Sequence, residues 1–204
     1  MDIIYDFETV GIGENAAVPS LAILAFDPSE LLTFDELISR SLRLKFNLKQ
    51  QFTDYGRKHD VSTIAWWKDS QRAEAYKQVI IPSSEDISLS EAPLRINQYL
   101  ASMGYQPNSG EKVWTRGNDF DVPLMKNIYE MFGKEVPYPF WCVRDIRTEI
   151  DAITPYWDDS HEGKGYIKNF TYPEGFIKHV ETHDIARDVL MMQYSHIKLI
   201  EKMG

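Results

Sequence analysis

The sequence predicts an α/β domain built on a mixed β-sheet flanked by helices. Short apolar runs with strand character fill the first 46 residues, and from residue 90 onward helical periodicities alternate with further strand-like runs. The chain has 204 residues, 43% hydrophobic and 26% charged, which is the composition of a globular protein long enough to bury a core and points to a single domain over residues 1–204.

Taken in order, Ile3 to Glu8 reads as a strand closed by a turn at Gly11 and Gly13, and the apolar run Ala17 to Asp27 as a second strand, with Ser39 to Phe46 as its partner. Ser62 to Trp67 and Ser70 to Gln78 read as short helices. Ser90 to Leu100 is a clearer helix, with Ser90 as its cap. Lys112 to Thr115 is a strand broken at Gly117 and Asn118, and Asp121 to Phe132 a helix stopped by Gly133. Phe140 to Val143 reads as a short strand, Arg144 to Ile150 as the start of a helix, and Asp151 to Lys178 as a long irregular segment. A final helix is expected over Asp184 to Lys202, with Asp184 as cap and Ile185, Val189, Met192, Leu199 and Ile200 as its apolar stripe.

Composition narrows the function. The net charge of −9 argues against tight binding of long duplex nucleic acid, yet suits an enzyme that holds a few nucleotides beside an acidic, cation-filled site. Cys142 is the one cysteine, so no internal disulfide forms. No apolar run reaches bilayer length, and the opening MDIIYDFET has no signal-peptide character. A cytoplasmic protein with no membrane association and no obligate protein partner is expected.

The chemistry starts at Asp6 and Glu8. Residues two apart on a strand share a face, so two carboxylates stand side by side while Ile3, Tyr5 and Phe7 take the other face. Their repulsion calls for a cation, and carboxylate and water ligands suit Mg²⁺ or Mn²⁺. A solvated edge strand would also accommodate such a pair. Asp121, at a helix start, and Asp188, among apolar neighbours of the last helix, extend the set, with His183 at that helix's entrance; helix-dipole and surface roles are the alternatives for each acid.

These residues resemble the motifs of the DEDDh 3′–5′ exonucleases. Asp6-Phe7-Glu8-Thr9 is similar to the first motif, Phe120-Asp121 to the second, and His183-Asp184-Ile185-Ala186-Arg187-Asp188 to the third, where a histidine precedes the last aspartate by five. The opening Ile4 to Gly13, the run Ala22 to Asp27, the pair Trp66-Trp67 and Arg144 to Thr148 resemble the T-even bacteriophage members of that family. One departure concerns Asn118: many relatives carry an asparagine three residues before the phenylalanine, and here it stands two before Phe120, which leaves Asp119 as a rival to Asp121.

The resemblance implies a ribonuclease-H-like fold and two-metal hydrolysis of a terminal phosphodiester, with two Mg²⁺ or Mn²⁺ ions. It gives Asp6 and Asp188 the ion that activates water, makes Glu8 a shared ligand, gives Asp121 the second ion and makes His183 the general base. Single-stranded DNA 3′ ends are the expected substrate, with nucleoside 5′-monophosphates released. A 3′–5′ exoribonuclease of the same fold and an inactive nuclease-like binding module are the alternatives, and the motifs do not report how a 2′-OH is received. For substrate grip, Trp66 and Trp67 are stacking candidates, with core packing as their other role. Arg116, Arg144 and Lys164 are candidate phosphate contacts, Asn118 a candidate turn contact, and Phe7 and Thr9 flank the acids where the family lines its terminal-nucleotide pocket.

Overall fold

The computed structural model describes residues 1–107 and 110–204. One sheet holds β1 (Asp2–Glu8), β2 (Ser20–Phe26), β3 (Leu42–Lys45), β4 (Val113–Thr115) and β5 (Val143–Asp145), in the order β3-β2-β1-β4-β5. The β1–β2 and β2–β3 pairs are antiparallel, and the β1–β4 and β4–β5 pairs are parallel, so the sheet is mixed. Around it lie α1 (Phe34–Arg40), α2 (Leu48–Thr53), α3 (Val61–Trp67), α4 (Ala73–Val79), α5 (Ala92–Ser102), α6 (Asp121–Met131), α7 (Ile146–Ile153) and α8 (Glu181–Met203).

The central strands β1 and β2 are covered on both faces, which is why β2 reads as a nearly continuous apolar run. Ile3, Tyr5 and Phe7 pack with Leu21 and Ile23 of β2 against Ile96 of α5 and Leu124 and Ile128 of α6. Ile4 packs on the opposite face with Ala22 and Leu24, against Leu37 of α1, Ile146 of α7 and Ile185 and Val189 of α8. A third cluster, Val10, Ala17, Trp67, Ala75, Val79 and Val180, ties α3 and α4 to the chain just after β1 and just before α8.

Local chemistry moved several expected boundaries. Thr33 and Glu36 form a capping box, with the Thr33 amide donating to the Glu36 carboxylate at 2.8 Å, so Ser39 and Arg40 end a helix and the third strand begins only at Leu42. Ser88, not Ser90, accepts the first orphan amide, because a 3₁₀ turn at Leu89–Glu91 precedes α5. Phe140–Cys142 is likewise a 3₁₀ turn. The strand starts at Val143 and Asp145 caps α7 by accepting from the Thr148 amide at 3.1 Å. The last helix begins at Glu181 with Val180 as cap, so Asp184 lies inside it. Of its expected stripe, Ile185, Val189 and Met192 are buried, while Ile200 is 71% exposed where the helix runs on past the core. Among the described residues, no helix is long and apolar enough to cross a membrane.

Candidate active site

The site grows from the C-terminal end of β1. Asp6 and Glu8 share the face of Ile4, the face that α8 covers. Their antiparallel partners on β2 are Ala22 and Ser20, small residues that leave the space above the strand to the carboxylates. After parallel β4, a turn carries the chain into α6. The Asp121 amide donates to the Gly117 carbonyl at 3.1 Å, which places Asp121, 3% exposed, at the helix start beside the end of β1.

The third side of the site comes from the entrance to α8. His179 takes a left-handed backbone conformation (φ 67°), and its amide donates to Oδ2 of Asp184 at 2.8 Å. Its ring packs edge-on against Trp66 (4.7 Å between centroids) and Trp67 (6.3 Å). Trp67 is fixed in turn, its indole N–H donating to the Thr9 carbonyl at 2.8 Å. One ligand atom from each of Glu8, His179 and Asp184 lies within 4.8 Å of the others. With Asp6, these residues line an open cleft of about 180 Å³.

His183 and Asp188, the pair expected from the sequence to meet the first-strand acids, sit differently. The His183 Nδ1 accepts from the Ile177 amide at 3.0 Å, and its ring packs edge-on against Phe34 at 5.3 Å, on the α1 side of the helix. Asp188 lies one helical turn beyond Asp184. Its Oδ1 and Oδ2 each accept from Nε of Arg116 at 2.9 Å, and Oδ1 also accepts from Nε of Arg187 at 2.8 Å. A carboxylate taken up by two guanidinium groups has little left to offer a cation. The chain holds two overlapping frames in which a histidine precedes an aspartate by five, and the one that reaches the cleft is His179 with Asp184.

Electrostatics single out the same set. Burial, followed by the carboxylates of Asp121, Asp184 and Asp188, pushes Asp6 well above the ordinary range. Burial and the Asp6 carboxylate do the same to Glu8. Burial raises Asp121 to about 7 against the opposing pull of the Phe7 amide and Arg147, and raises Asp184 to about 6 against Arg187. Asp188 goes the other way. Burial would raise it, but Arg187 and Arg116 hold it below the usual carboxylate range. Burial, reinforced by Lys178, Arg72 and Arg187, lowers His179 to about 4, so its imidazole is neutral at neutral pH.

The remaining expected residues divide between support and surface. Phe7 is buried edge-on to Tyr5 and lies along the floor of the cleft, and the Thr9 hydroxyl donates to the Gly11 carbonyl. Trp66 is 39% exposed, with the Arg72 guanidinium 4.0 Å above its ring. Asn118 holds the turn before α6, its Oδ1 accepting from the Thr115 hydroxyl at 2.6 Å. The exposed Arg144 donates to the carbonyls of Trp141 and Val143 and does not line the cleft, and Lys164 pairs with Glu162. The cleft instead presents Arg147, Tyr166 and Lys178, none of which has a spacing signature. Arg147 lies within the Arg144 to Thr148 run, Lys178 adjoins His179 in the chain, and Tyr166 has no sequence signal.

A divalent cation fits this site. Asp6, Glu8, Asp121 and Asp184 are mutually repelling carboxylates with raised proton affinity, and hard oxygen donors are the donor set of Mg²⁺ or Mn²⁺.

Comparison with known proteins gives three findings. A family described as the 3′–5′ exoribonuclease Rv2179c-like domain matches residues 1–166, a span that includes Asp6, Glu8 and Asp121 and stops before α8. The exodeoxyribonuclease of Enterobacteria phage T4 is 40% identical over 211 aligned positions, covering 95% of this chain and 88% of the relative. The crystal structure of cell-death related nuclease 4 (CRN-4) superposes with a TM-score of 0.51 at 16% identity, over 96% of this chain and 63% of that one. This chain thus spans less than two thirds of CRN-4, and the likeness is one of fold, a ribonuclease-H-like exonuclease fold.

Proposed function

Because the chain belongs to the 3′–5′ exoribonuclease Rv2179c-like domain family and is a 3′–5′ exonuclease, we propose that it hydrolyses the last phosphodiester of single-stranded DNA, releasing nucleoside 5′-monophosphates. The observation that carries this is the convergence of Asp6, Glu8, Asp121, Asp184 and His179 at one end of the sheet.

Asp6, Glu8, Asp121 and Asp184 would hold two divalent cations, which supply charge stabilisation to the attacking and leaving oxygens of an in-line displacement. The histidine assigned to the base is His179, not His183, and the aspartate completing the ligand set is Asp184, not Asp188. His179 is neutral at neutral pH, so it can accept a proton from the attacking water. Trp66 and Trp67 hold its ring from the side. The water oxygen bonds to phosphorus, the bond to the 3′ oxygen breaks, and the shortened strand keeps a 3′-hydroxyl. Asp188 acts from beneath by neutralising Arg116 and Arg187, which brings two guanidinium groups to the cleft without leaving them unpaired.

The choice of DNA draws on the exodeoxyribonuclease relative, similar along nearly its whole length. RNA is the second reading, favoured by the description of the matching family. Mg²⁺-dependent digestion of matched DNA and RNA oligonucleotides, labelled at either end, separates them. A 3′ label on DNA should leave as a mononucleotide at the first turnover, and a 5′ label should report stepwise shortening. Faster release from RNA would move the assignment to the second reading. Rapid cutting of circular single strands would overturn end-directed hydrolysis.

A further inference from the structure

Four cations line the cleft: Arg116, Arg147, Lys178 and Arg187. Arg116 and Arg187 are committed to Asp188, and Arg187 also to Asp184. Arg147, in the first turn of α7, makes no hydrogen bond or ion pair among the described residues. Yet its stem is firmly placed. The loop after α7 folds back so that Gly165, at φ 67°, lies directly on it, and a Cβ at Gly165 would fall 2.4 Å from the Arg147 Cβ and 2.7 Å from its Cα. The loop is anchored there on both sides. The Gly165 amide donates to the Asp151 carboxylate at 2.7 Å, and the Gly165 carbonyl accepts from Arg116 at 2.6 Å. Both terminal nitrogens of Arg147 then stand 3.7 Å from the Cβ position of Gly117, whose carbonyl receives the Asp121 amide. A charged fork with a restrained stem and no hydrogen bond or ion pair among the described residues is the group that binds phosphate at least entropic cost.

Its location assigns which phosphate. In an in-line displacement the attacking water and the leaving 3′ oxygen lie on opposite sides of phosphorus. His179 marks the water side, and the cations around it are Lys178, Arg72 and Arg187. Arg147 lies instead beside Asp121, whose carboxylate it stabilises. The leaving oxygen, and the strand that keeps it, therefore face Arg147. We propose that Arg147 grips the phosphate of the retained strand immediately 5′ to the scissile linkage, and so sets the register of each cut.

This rests on the 3′–5′ hydrolysis described above, and the test separates the two. Wild type, Arg147→Met and Arg147→Lys are assayed on a single-stranded decanucleotide with all linkages native, and on copies carrying one neutral methylphosphonate at each successive linkage 5′ to the scissile one. Removing either partner of the contact should lower kcat/KM about tenfold, the scale of a charge-assisted phosphate contact. For Arg147→Met, a methylphosphonate at the first retained linkage should bring no further loss, whereas at the next linkages the two losses should multiply. The slope of log affinity against log salt should shrink by about 0.7, one single-strand phosphate contact. A Mn²⁺-dependent rise in Tm in Arg147→Met checks that the carboxylate site is intact. Should that variant not fold, Arg147→Lys carries the test with a partial loss that the same methylphosphonate removes. Multiplying losses at the first retained linkage, or no loss in Arg147→Met, overturns the Arg147 assignment. A wild-type protein that leaves the native decanucleotide uncut overturns the hydrolysis beneath it.

Discussion

The amide of His179 donates to Oδ2 of Asp184 at 2.8 Å, so the imidazole and the carboxylate that face the first-strand acids belong to one hydrogen-bonded turn. Moving either displaces the other, and their effects on turnover should be strongly non-additive.

Asp184 and Asp188 should separate function from stability. Asp184→Asn removes a group aimed at the cleft and should lower kcat on the order of a thousandfold, with a modest stability change. Asp188→Ala leaves Arg116 buried without its carboxylate and Arg187 with Asp184 alone, which costs about 3–5 kcal/mol. Thermal melts and turnover on the same preparations decide. A stable, inactive Asp188→Ala protein would restore the sequence-based assignment.

The two histidines make a parallel contrast. His179→Ala should reduce kcat by about 10²–10⁴, the usual worth of a general base, with metal affinity reduced far less. His183→Ala loses a part-buried hydrogen bond from the Ile177 amide and ring packing against Phe34 and Phe176, costing about 1 kcal/mol or somewhat more of stability, and should leave turnover within a few-fold. Turnover at saturating Mn²⁺ for both variants is the measurement, and a larger loss in His183→Ala would reverse the roles.

The metal-free protein should be stabilised by acid in a defined window. Burial raises Asp121 to about 7 from an unfolded value of about 3.9, so between those limits the folded state holds a proton that the unfolded chain has released. The folded state is then favoured at low pH and loses that advantage as pH rises through the window. In chelator, Asp121→Asn should gain on wild type by more than about 1 kcal/mol between pH 4.5 and 7.5. Saturating Mn²⁺ should reverse the gain, because the cation binds the wild-type carboxylates. A gap that narrows with rising pH in chelator would count against a crowded acidic site.

The tryptophans should also part company. Trp67→Ala empties a fully enclosed position and breaks the bond to the Thr9 carbonyl, at a cost of about 3–5 kcal/mol. Trp66→Ala removes a half-exposed ring whose contacts are Trp67, His179 and Arg72, so kcat should fall while the melting midpoint moves less than for Trp67→Ala. Equal destabilisation by both would make Trp66 a packing residue only.

Much of this was legible in the sequence because it depends on local rules. Asp6 and Glu8 follow from strand alternation, and Asp121 from its place at a helix start after a strand. The capping box at Thr33 and Glu36 was present as a motif, but the strand pattern at Ser39 to Phe46 masked it. The third element of the site turned on a helix boundary. With Asp184 taken as cap, His183 stands at the helix entrance and Asp188 in its first turns. With Val180 as cap, His183 turns toward Phe34, and His179 becomes the entrance residue. Ion pairing and packing across the fold discriminate between the two frames: Arg116 and Arg187 take up Asp188, and Val180 packs with Trp67, more than a hundred positions away. Arg147 has no periodic signature, since its place depends on a loop closing through Gly165.

The left-handed backbone at His179 has a consequence for protein engineering. A histidine in that conformation gives up about 1–2 kcal/mol, which asparagine recovers in part through its short polar side chain. A library screened only for heat resistance should therefore accept asparagine at position 179 early and discard catalysis with it. A screen that demands both properties should leave this position untouched and draw its gains from the exposed end of α8, where side chains such as Ile200 line no part of the cleft.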